Sequence, residues 1–342
     1  MNTRYRHVVH LTCSDAFAGV ERYVSMLGLH QADQGWRVTV IGGAPAQMRQ
    51  ALDGSDVRFV PATTLRSGRS ALRSVPSADI VNTHMSNADF AGIMASTNSR
   101  SRIVSTRHFA APRGRTPIVR AAFRLARRQF AAQIAISNFV AATIGEPSSV
   151  VHTGVTDSAL GTCEQRTVLI AQRLEPEKET HVALAAWAAS RASLKGWELH
   201  IAGEGSERER LEQLAGDLGV SASVRFLGHQ HDVRRLMAKA GLFLAPTSRE
   251  GLGLSVLEAM ACGLPVIASA SGGHVETIGK VDGALLFPPG DAEAAARQLN
   301  VALSNDDERR NYGIRAQRLQ RDSFTVRAQA KATLAIYERC LS

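Results

Sequence analysis

Short apolar runs recur along the 342-residue chain, separated by longer stretches whose apolar positions return every three or four residues. In the first half the runs are His7–Leu11, Val38–Ile41, Val57–Val60, Asp79–Asn82, Ile103–Ser105, Gln133–Ile136 and Val150–His152. The second half repeats the rhythm with Val168–Ala171, Glu198–Ala202, Val224–Leu227, Leu242–Ala245, Pro265–Ala268 and Ala284–Phe287. Runs this short, β-branched and bounded by Gly, Pro, Asn or Asp, predict strands buried on both faces of a parallel sheet. The segments between them, such as Arg208–Leu218 and Ala292–Leu303, carry helical spacing. Strand and helix alternating twice over predict an α/β chain of two doubly wound domains, with the boundary where both signals lapse, between Thr153 and Gln165. The expected division is residues 1–155, residues 156–321 and a terminal helix over 322–342. In that helix Phe324, Ala328, Leu334, Ile336, Tyr337 and Leu341 would pack on existing surface. Open parallel sheets bind ligands outside the carboxyl ends of their strands, so the active site is expected in a cleft that both domains face.

Composition narrows the class. With 44% hydrophobic and 21% charged residues, the chain is not of a disordered, collagen-like or disulfide-stapled kind. No stretch approaches the roughly 18 apolar residues of a membrane span. The opening MNTRYRHVVHLTC has no apolar core followed by a cleavage site, so no signal peptide is expected. Cys13, Cys163, Cys262 and Cys340 lie far apart without a CxxC pair, which fits a reducing cytoplasm and argues against a zinc site.

Charge adds a regional feature. The formal net charge is +9, from 35 Arg and 5 Lys against 31 acids, and no Asp or Glu occurs between Phe90 and Gly145. That stretch holds Arg100, Arg102, Arg107, Arg113, Arg115, Arg120, Arg124, Arg127 and Arg128, and predicts a face suited to an anionic partner. Around Ile118–Phe130 the arginines interleave with Ile118, Val119, Ala122, Phe123, Leu125 and Phe130. That pattern suits either a solvated face or an amphipathic helix lying on an anionic membrane. A nucleic-acid surface is disfavoured, because aromatics are few and no recognition module is present.

The densest chemical signal is Glu250-Gly-Leu-Gly-Leu-Ser-Val-Leu-Glu258, which follows the run Leu242–Ala245 and enters a helix near Ser255. Gly251 and Gly253 let backbone approach a ligand closely, and the amides of Gly253, Leu254 and Ser255 at the helix start suit a phosphate. Glu250 and Glu258 cannot themselves bind phosphate; they make sense as acceptors for the hydroxyls of a sugar or ribose. A first-turn acid favoured by the helix dipole would explain Glu258 alone, but not the glycine spacing. Arg173 and Lys178 follow another strand's carboxyl end, where two cations can hold a diphosphate and stabilise the charge that builds on it. Gly42-Gly43 and Gly203-Glu-Gly205 lack the G-x-G-x-x-G spacing of a dinucleotide loop.

The segment from Glu250 to Glu258 resembles the E-x7-E motif of glycosyltransferase family 4, whose members are retaining, use nucleotide sugars and have the GT-B fold. Ala171-Gln-Arg-Leu-Glu-Pro-Glu-Lys178, His200-Ile-Ala-Gly-Glu-Gly205, Val224-Arg-Phe-Leu-Gly228, Ser271-Gly-Gly-His-Val-Glu276, Asp282-Gly283 and Phe287-Pro-Pro-Gly-Asp291 are similar to further family segments, in order. Ala18-Gly-Val-Glu21, Ser105-Thr-Arg-His108, Ala135-Ile-Ser137 and Thr153-Gly-Val155 are weaker likenesses in the first half. The resemblance implies two Rossmann-like domains, residues 1–155 for the acceptor and 156–321 for the donor, with the terminal helix packing back toward the first. It implies that Arg173 and Lys178 meet the diphosphate, Glu250 the sugar hydroxyls and Glu258 the ribose. It also implies that His108 supports the reacting centre, with His84 a lesser neighbour, that Gly19 opens a loop near the diphosphate, and that Gly228 begins the loop at the base. Two positions depart from the pattern: Ala18 and Gln172 stand where the family usually has glycine.

The expected activity is transfer of a hexose from a UDP- or GDP-sugar to a glycan or lipid-linked acceptor, with bacterial envelope or exopolysaccharide synthesis as its setting. The leaving diphosphate would take the acceptor proton, and no metal ion or other cofactor is expected. The expected location is the cytoplasm, with peripheral association at the inner face of the plasma membrane. A nucleotide-sugar epimerase of the same architecture and a silent binding subunit are the rivals. Retention of Glu250, Glu258, Arg173 and Lys178 together argues against the second.

Overall fold

The computed structural model describes residues 6–96, 101–114 and 116–342, which form two compact units. The first comprises the chain up to Gly154 together with Val326–Ser342, and the second runs from Val155 to Thr325. The strands of the first unit are β1 (His7–Leu11), β2 (Arg37–Ile41), β3 (Arg58–Val60), β4 (Ile80–His84), β5 (Arg102–Arg107), β6 (Phe130–Ala135) and β7 (Ser149–Val150). They form one sheet in the order β3-β2-β1-β4-β5-β6-β7, every pair parallel. The connecting helices are α1 (Gly19–Asp33), α2 (Pro45–Ala51), α3 (Leu65–Ser74), α4 (Ser86–Ser96), α5 (Pro117–Ala126) and α6 (Asn138–Ile144).

The second unit repeats the plan with α7 (Thr180–Ala189), α8 (Arg208–Asp217), α9 (Val233–Met237), α10 (Leu254–Ala261), α11 (Ala292–Ala302) and α12 (Asp306–Ser323). Its strands are β8 (Gln165–Ala171), β9 (Glu198–Ala202), β10 (Val224–Gly228), β11 (Ala240–Ala245), β12 (Val266–Ser269) and β13 (Leu285–Phe287), in the parallel order β10-β9-β8-β11-β12-β13. In each sheet the order reverses beside the first strand, between β1 and β4 and between β8 and β11. Doubly wound sheets open a ligand crevice at such a switch point.

The central strands of each sheet are buried, which is why they read as short, mostly apolar runs. In the second unit Val168, Ile170, Leu199, Ile201, Leu242 and Leu244 pack with Trp187 of α7, Leu211 of α8 and Leu299 of α11. In the first unit Val9, Leu11 and Val81 pack beneath α3 and α4 through Leu72, Val75, Ala88 and Ala91. The opposite face of that sheet carries buried polar groups, His10, Asn82 and His84 among them.

The terminal helix α13 (Val326–Leu341) belongs to the first unit. Its Tyr337 hydroxyl accepts from Asn82 Nδ2 at 2.6 Å, and Gln329 Oε1 accepts from Gly154 N–H at 2.7 Å. This helix begins later than the sequence pattern sets it. Asp322 and Ser323 are the last residues of α12, and the buried Phe324 separates the two helices.

The arginine-rich stretch needs a correction. Arg107 and Arg113 are buried and cannot contribute to a surface field. Arg113 donates to Asp89 at 2.6 Å, Glu146 at 2.8 Å, Gln133 at 2.7 Å and Ser105 at 2.6 Å, and its guanidinium lies over the rings of Phe123 and Phe130. Its two carboxylates, Asp89 and Glu146, are the acids that bracket the acid-free stretch. Arg102, Arg120, Arg127, Arg128 and the apolar Leu125 are exposed, while Phe123 is buried against Phe90 with ring centroids 4.0 Å apart. Arg100 and Arg115 lie outside the described residues, as do the side chains of Ile118, Val119, Ala122 and Arg124. Among the described residues no helix is long and apolar enough to cross a membrane.

Candidate active site

Two loops leave the switch point of the second sheet, one after β8 and one after β11. The first carries Arg173 and a short 3-10 turn over Pro176–Lys178; the second carries Ser248, Glu250 and the start of α10. They meet at an ion pair in which Lys178 Nζ donates to Glu250 Oε2 at 2.6 Å, with both side chains about one-fifth to one-quarter exposed (20% and 24%). Burial alone would raise the Glu250 carboxyl, but Lys178, His274 and the Gly251 N–H outweigh it and hold the group below its ordinary value.

Two side chains fix this geometry that the sequence left without a role. Gln172 Nε2 donates to the Lys178 carbonyl and to Thr180 Oγ1, each at 2.9 Å, while its Oε1 accepts from Thr247 Oγ1 at 3.1 Å. Here a residue that departs from the family's glycine ties one loop to the other. Glu179, in the left-handed region at φ +51°, accepts from Ser248 N–H at 2.6 Å and from its hydroxyl at 2.8 Å. A non-glycine residue in that conformation is strained, and the two hydrogen bonds from Ser248 hold it.

The start of α10 is shaped by backbone approach. A Cβ on Gly273 would lie 2.2 Å from Leu252 Cα, and Gly273 N–H donates to the Glu250 carbonyl at 2.9 Å. Gly253 adopts φ +92°, and a Cβ there would lie 3.1 Å from the buried His274 ring. The first helical bond runs from Leu257 N–H to the Gly253 carbonyl, so the amides of Gly253, Leu254 and Ser255 are not consumed by the helix. Free amides at a helix start suit an anion, and here they follow directly on the carboxylate that Lys178 pairs with.

The remaining expected residues are placed as follows. Arg173 is exposed and pairs with Glu177 at 2.8 Å, so the structure does not draw it onto the Lys178–Glu250 pair. Glu258 stands on α10, with Arg234 of α9 at 3.9 Å. Gly228 closes β10, its carbonyl accepting from Gly203 N–H at 2.8 Å. In the first unit Gly19 is the first residue of α1, and the Ala18 N–H before it donates to Glu21 at 2.9 Å. His108 follows β5 and is bonded to His84 at 2.9 Å. A depression of about 400 Å³ opens at that sheet's own switch point, lined by Thr12, Ser14 and Asp15 after β1 and by Ser86 and Asn87 after β4. Two further lining residues, Cys13 and Met85, are held at positive φ (+54° and +74°).

Comparison with known proteins bears on both units. The model for glycosyl transferases group 1 matches residues 160–319, and that for glycosyltransferase family 4 matches residues 17–158. The chain belongs to glycosyltransferase family 4. The phosphatidyl-myo-inositol mannosyltransferase of Mycolicibacterium smegmatis is 28% identical over 91% of this chain and 88% of its own. The lipopolysaccharide core biosynthesis glycosyltransferase LpsE of Rhizobium meliloti is 34% identical over 42% of this chain. That match spans 43% of LpsE, and other curated relatives are likewise matched over less than half their length. Anabaena Alr3699/HepE, solved in complex with UDP and glucose, superposes with a TM-score of 0.82 at 19% identity, covering 98% of this chain and all of that one. The fold of the chain is thus the GT-B fold, two Rossmann-like units with seven and six parallel strands.

Proposed function

We propose that this glycosyltransferase moves a hexose from a UDP- or GDP-sugar to a hydroxyl of a glycan or lipid-linked acceptor, with retention at the anomeric carbon. The observation that carries the reading is the Lys178–Glu250 pair, set beside the start of α10 at the switch point of the second sheet. A cation and unconsumed amides suit the donor's diphosphate, and a carboxylate held ionised suits the hydroxyls of its sugar. In this reading Arg173 swings from Glu177 to the diphosphate, and Glu258 accepts from the ribose. His108 accepts from a hydroxyl of the transferred sugar. Charge on the departing diphosphate is met by Lys178, Arg173 and the α10 amides, which is why the reading calls for no metal ion. That diphosphate takes the proton of the attacking hydroxyl.

The likeness to lipopolysaccharide and phosphatidylinositol enzymes supports an envelope or exopolysaccharide acceptor, received at the depression of the first unit. Exposed Arg120, Arg127 and Arg128 around Leu125 support peripheral association with the inner face of the plasma membrane. Incubation with UDP- and GDP-hexoses tests the reading. A transferase releases nucleoside diphosphate only when acceptor glycan is supplied, and Glu250→Ala releases none. An epimerase converts the donor alone, and a silent subunit does neither; either result rejects transfer.

A further inference from the structure

Beneath α1 and α13, the first sheet carries a buried line of three histidines. His10 lies on β1 opposite Asn82 of β4; His84, two residues on, lies opposite Thr106 of β5; and His108 is two residues beyond that. Side chains two residues apart share a face of a sheet, so the three imidazoles run diagonally across neighbouring strands. They are hydrogen-bonded end to end. Gln31 Oε1 of α1 meets His10 Nε2 at 2.7 Å, His10 Nδ1 meets His84 Nε2 at 3.1 Å, and His84 Nδ1 meets His108 Nε2 at 2.9 Å. His10 and His84 are wholly buried, and His108, at 9% exposure, is the member that reaches the surface. The edge of Tyr23 packs on the His108 ring at 4.6 Å between centroids.

Such a chain has a direction. A neutral imidazole donates through one nitrogen and accepts through the other. The Gln31 oxygen can only accept, so His10 carries its proton on Nε2 and presents a lone pair at Nδ1. His84 must then donate from Nε2 and accept at Nδ1, and His108 must donate from Nε2. Burial holds His10 near pKa 4 and His108 near 3, the latter also lowered by Arg107, and His84 is driven well below its ordinary value by burial and its two neighbours. The other groups packed against the line, Tyr23 and Gln31 of α1 and Gln329, Thr333 and Tyr337 of α13, are uncharged.

We infer that Gln31, His10 and His84 are positioning residues that lock His108 into one neutral tautomer, protonated at Nε2, with its Nδ1 lone pair presented to a donating hydroxyl of the transferred sugar. The sugar contact rests on the role proposed for His108 above; the tautomer lock stands on the hydrogen bonds and on the burial that keeps the three rings neutral. A site with a fixed acceptor rejects a donor whose matching hydroxyl is replaced by hydrogen.

The test is long-range 15N–1H correlation of the histidine rings in the full-length protein between pH 6 and 8. The expected spectrum shows His108 as a single neutral form with Nε2 protonated. An Nδ1-protonated form, as a reversed Gln31 amide would impose, a mixture, or an imidazolium overturns the inference. Gln31→Leu removes the terminal acceptor three links away, and is expected to give two His108 tautomers and a kcat roughly fivefold lower, the scale of one lost neutral hydrogen bond, with donor KM little changed. An unchanged His108 tautomer in that variant refutes the coupling. A mixed tautomer with unchanged kcat leaves the lock standing and rejects the sugar contact. Should Gln31→Leu not fold, the wild-type spectrum decides the lock by itself.

Discussion

Replacing Lys178 by Met keeps most of the length of the side chain, removes its charge and leaves the Glu250 carboxylate beside the buried His274 without its main partner. At 2.6 Å and an effective dielectric of about 20, the Coulomb attraction of the pair is roughly 6 kcal/mol before desolvation is charged against it. Exposed pairs retain about 0–1 kcal/mol of such attraction, whereas breaking a buried one costs about 3–5. With side chains 20% and 24% exposed, this pair stands between the limits, and Lys178→Met should cost about 2 kcal/mol at pH 7. The sign of the pH dependence separates charge from packing. In the wild type the folded Glu250 titrates below its ordinary value of 4.5, so its stabilisation is fully present above that pH and is lost as pH falls through the lower, folded value. Without Lys178, burial dominates and raises the folded carboxyl, so stability falls as pH rises through the mildly acid range. The penalty should therefore widen between pH 4 and pH 7. Urea unfolding followed by tryptophan fluorescence, to which Trp187 and Trp197 in the second unit's core contribute, reads it at each pH. Glu250→Gln and the double variant complete a cycle with an expected coupling of about 1–3 kcal/mol. A penalty independent of pH, or a coupling near zero, refutes the electrostatic account of this pair.

Four other variants have defined outcomes. Gln172→Gly removes three hydrogen bonds, two within the first loop's segment and one to the second loop, and should lower the melting temperature by an amount corresponding to roughly 2–3 kcal/mol while weakening donor binding, measured by thermal melting and titration calorimetry. Gly253→Ala forces a side chain to φ +92° at 3.1 Å from His274 and should cost about 1 kcal/mol or more and weaken nucleotide binding; calorimetry with UDP and GDP checks it. Arg113→Met leaves Asp89 buried without its guanidinium and should destabilise the first unit by about 3–5 kcal/mol, read from Trp36 fluorescence. Vesicle binding should fall instead when Arg120, Arg124, Arg127 and Arg128 are changed together to Gln, and unchanged binding to anionic liposomes rejects the membrane surface.

The sheets were legible in the sequence because the central strands are buried and so appear as short, mostly apolar runs. Each of the thirteen runs corresponds to a strand, His7–Leu11 and Glu198–Ala202 with the same bounds and the others shifted by one to three residues at an end. The largest misreading was at Phe130, read as helix but placed at the start of β6, because its ring caps Arg113 and fits an apolar helical face equally well. Charge was legible as a total and not by position: Arg113 looks like its neighbours until Asp89 and Glu146 are brought to it from distant parts of the chain. The Glu250–Glu258 segment announced itself by glycine spacing. Its partners did not, since Gln172 and Glu179 act through hydrogen bonds to a loop about seventy residues away. The histidine chain left still less trace. His84 and His108 stood out one at a time, while His10 sat inside an apolar run and was read as core.

The central claim is a nucleotide-sugar site on the second unit, and its most direct test is thermal unfolding against UDP, GDP and their hexose conjugates, in wild type and in Glu258→Ala. A ligand at one hundred times its dissociation constant adds about 2.7 kcal/mol of stability. The account predicts that one nucleotide series stabilises the wild type and does so much less in the variant. If no nucleotide shifts the wild type, or Glu258→Ala responds as fully as wild type, the donor site is not where Glu258, Glu250 and Lys178 put it.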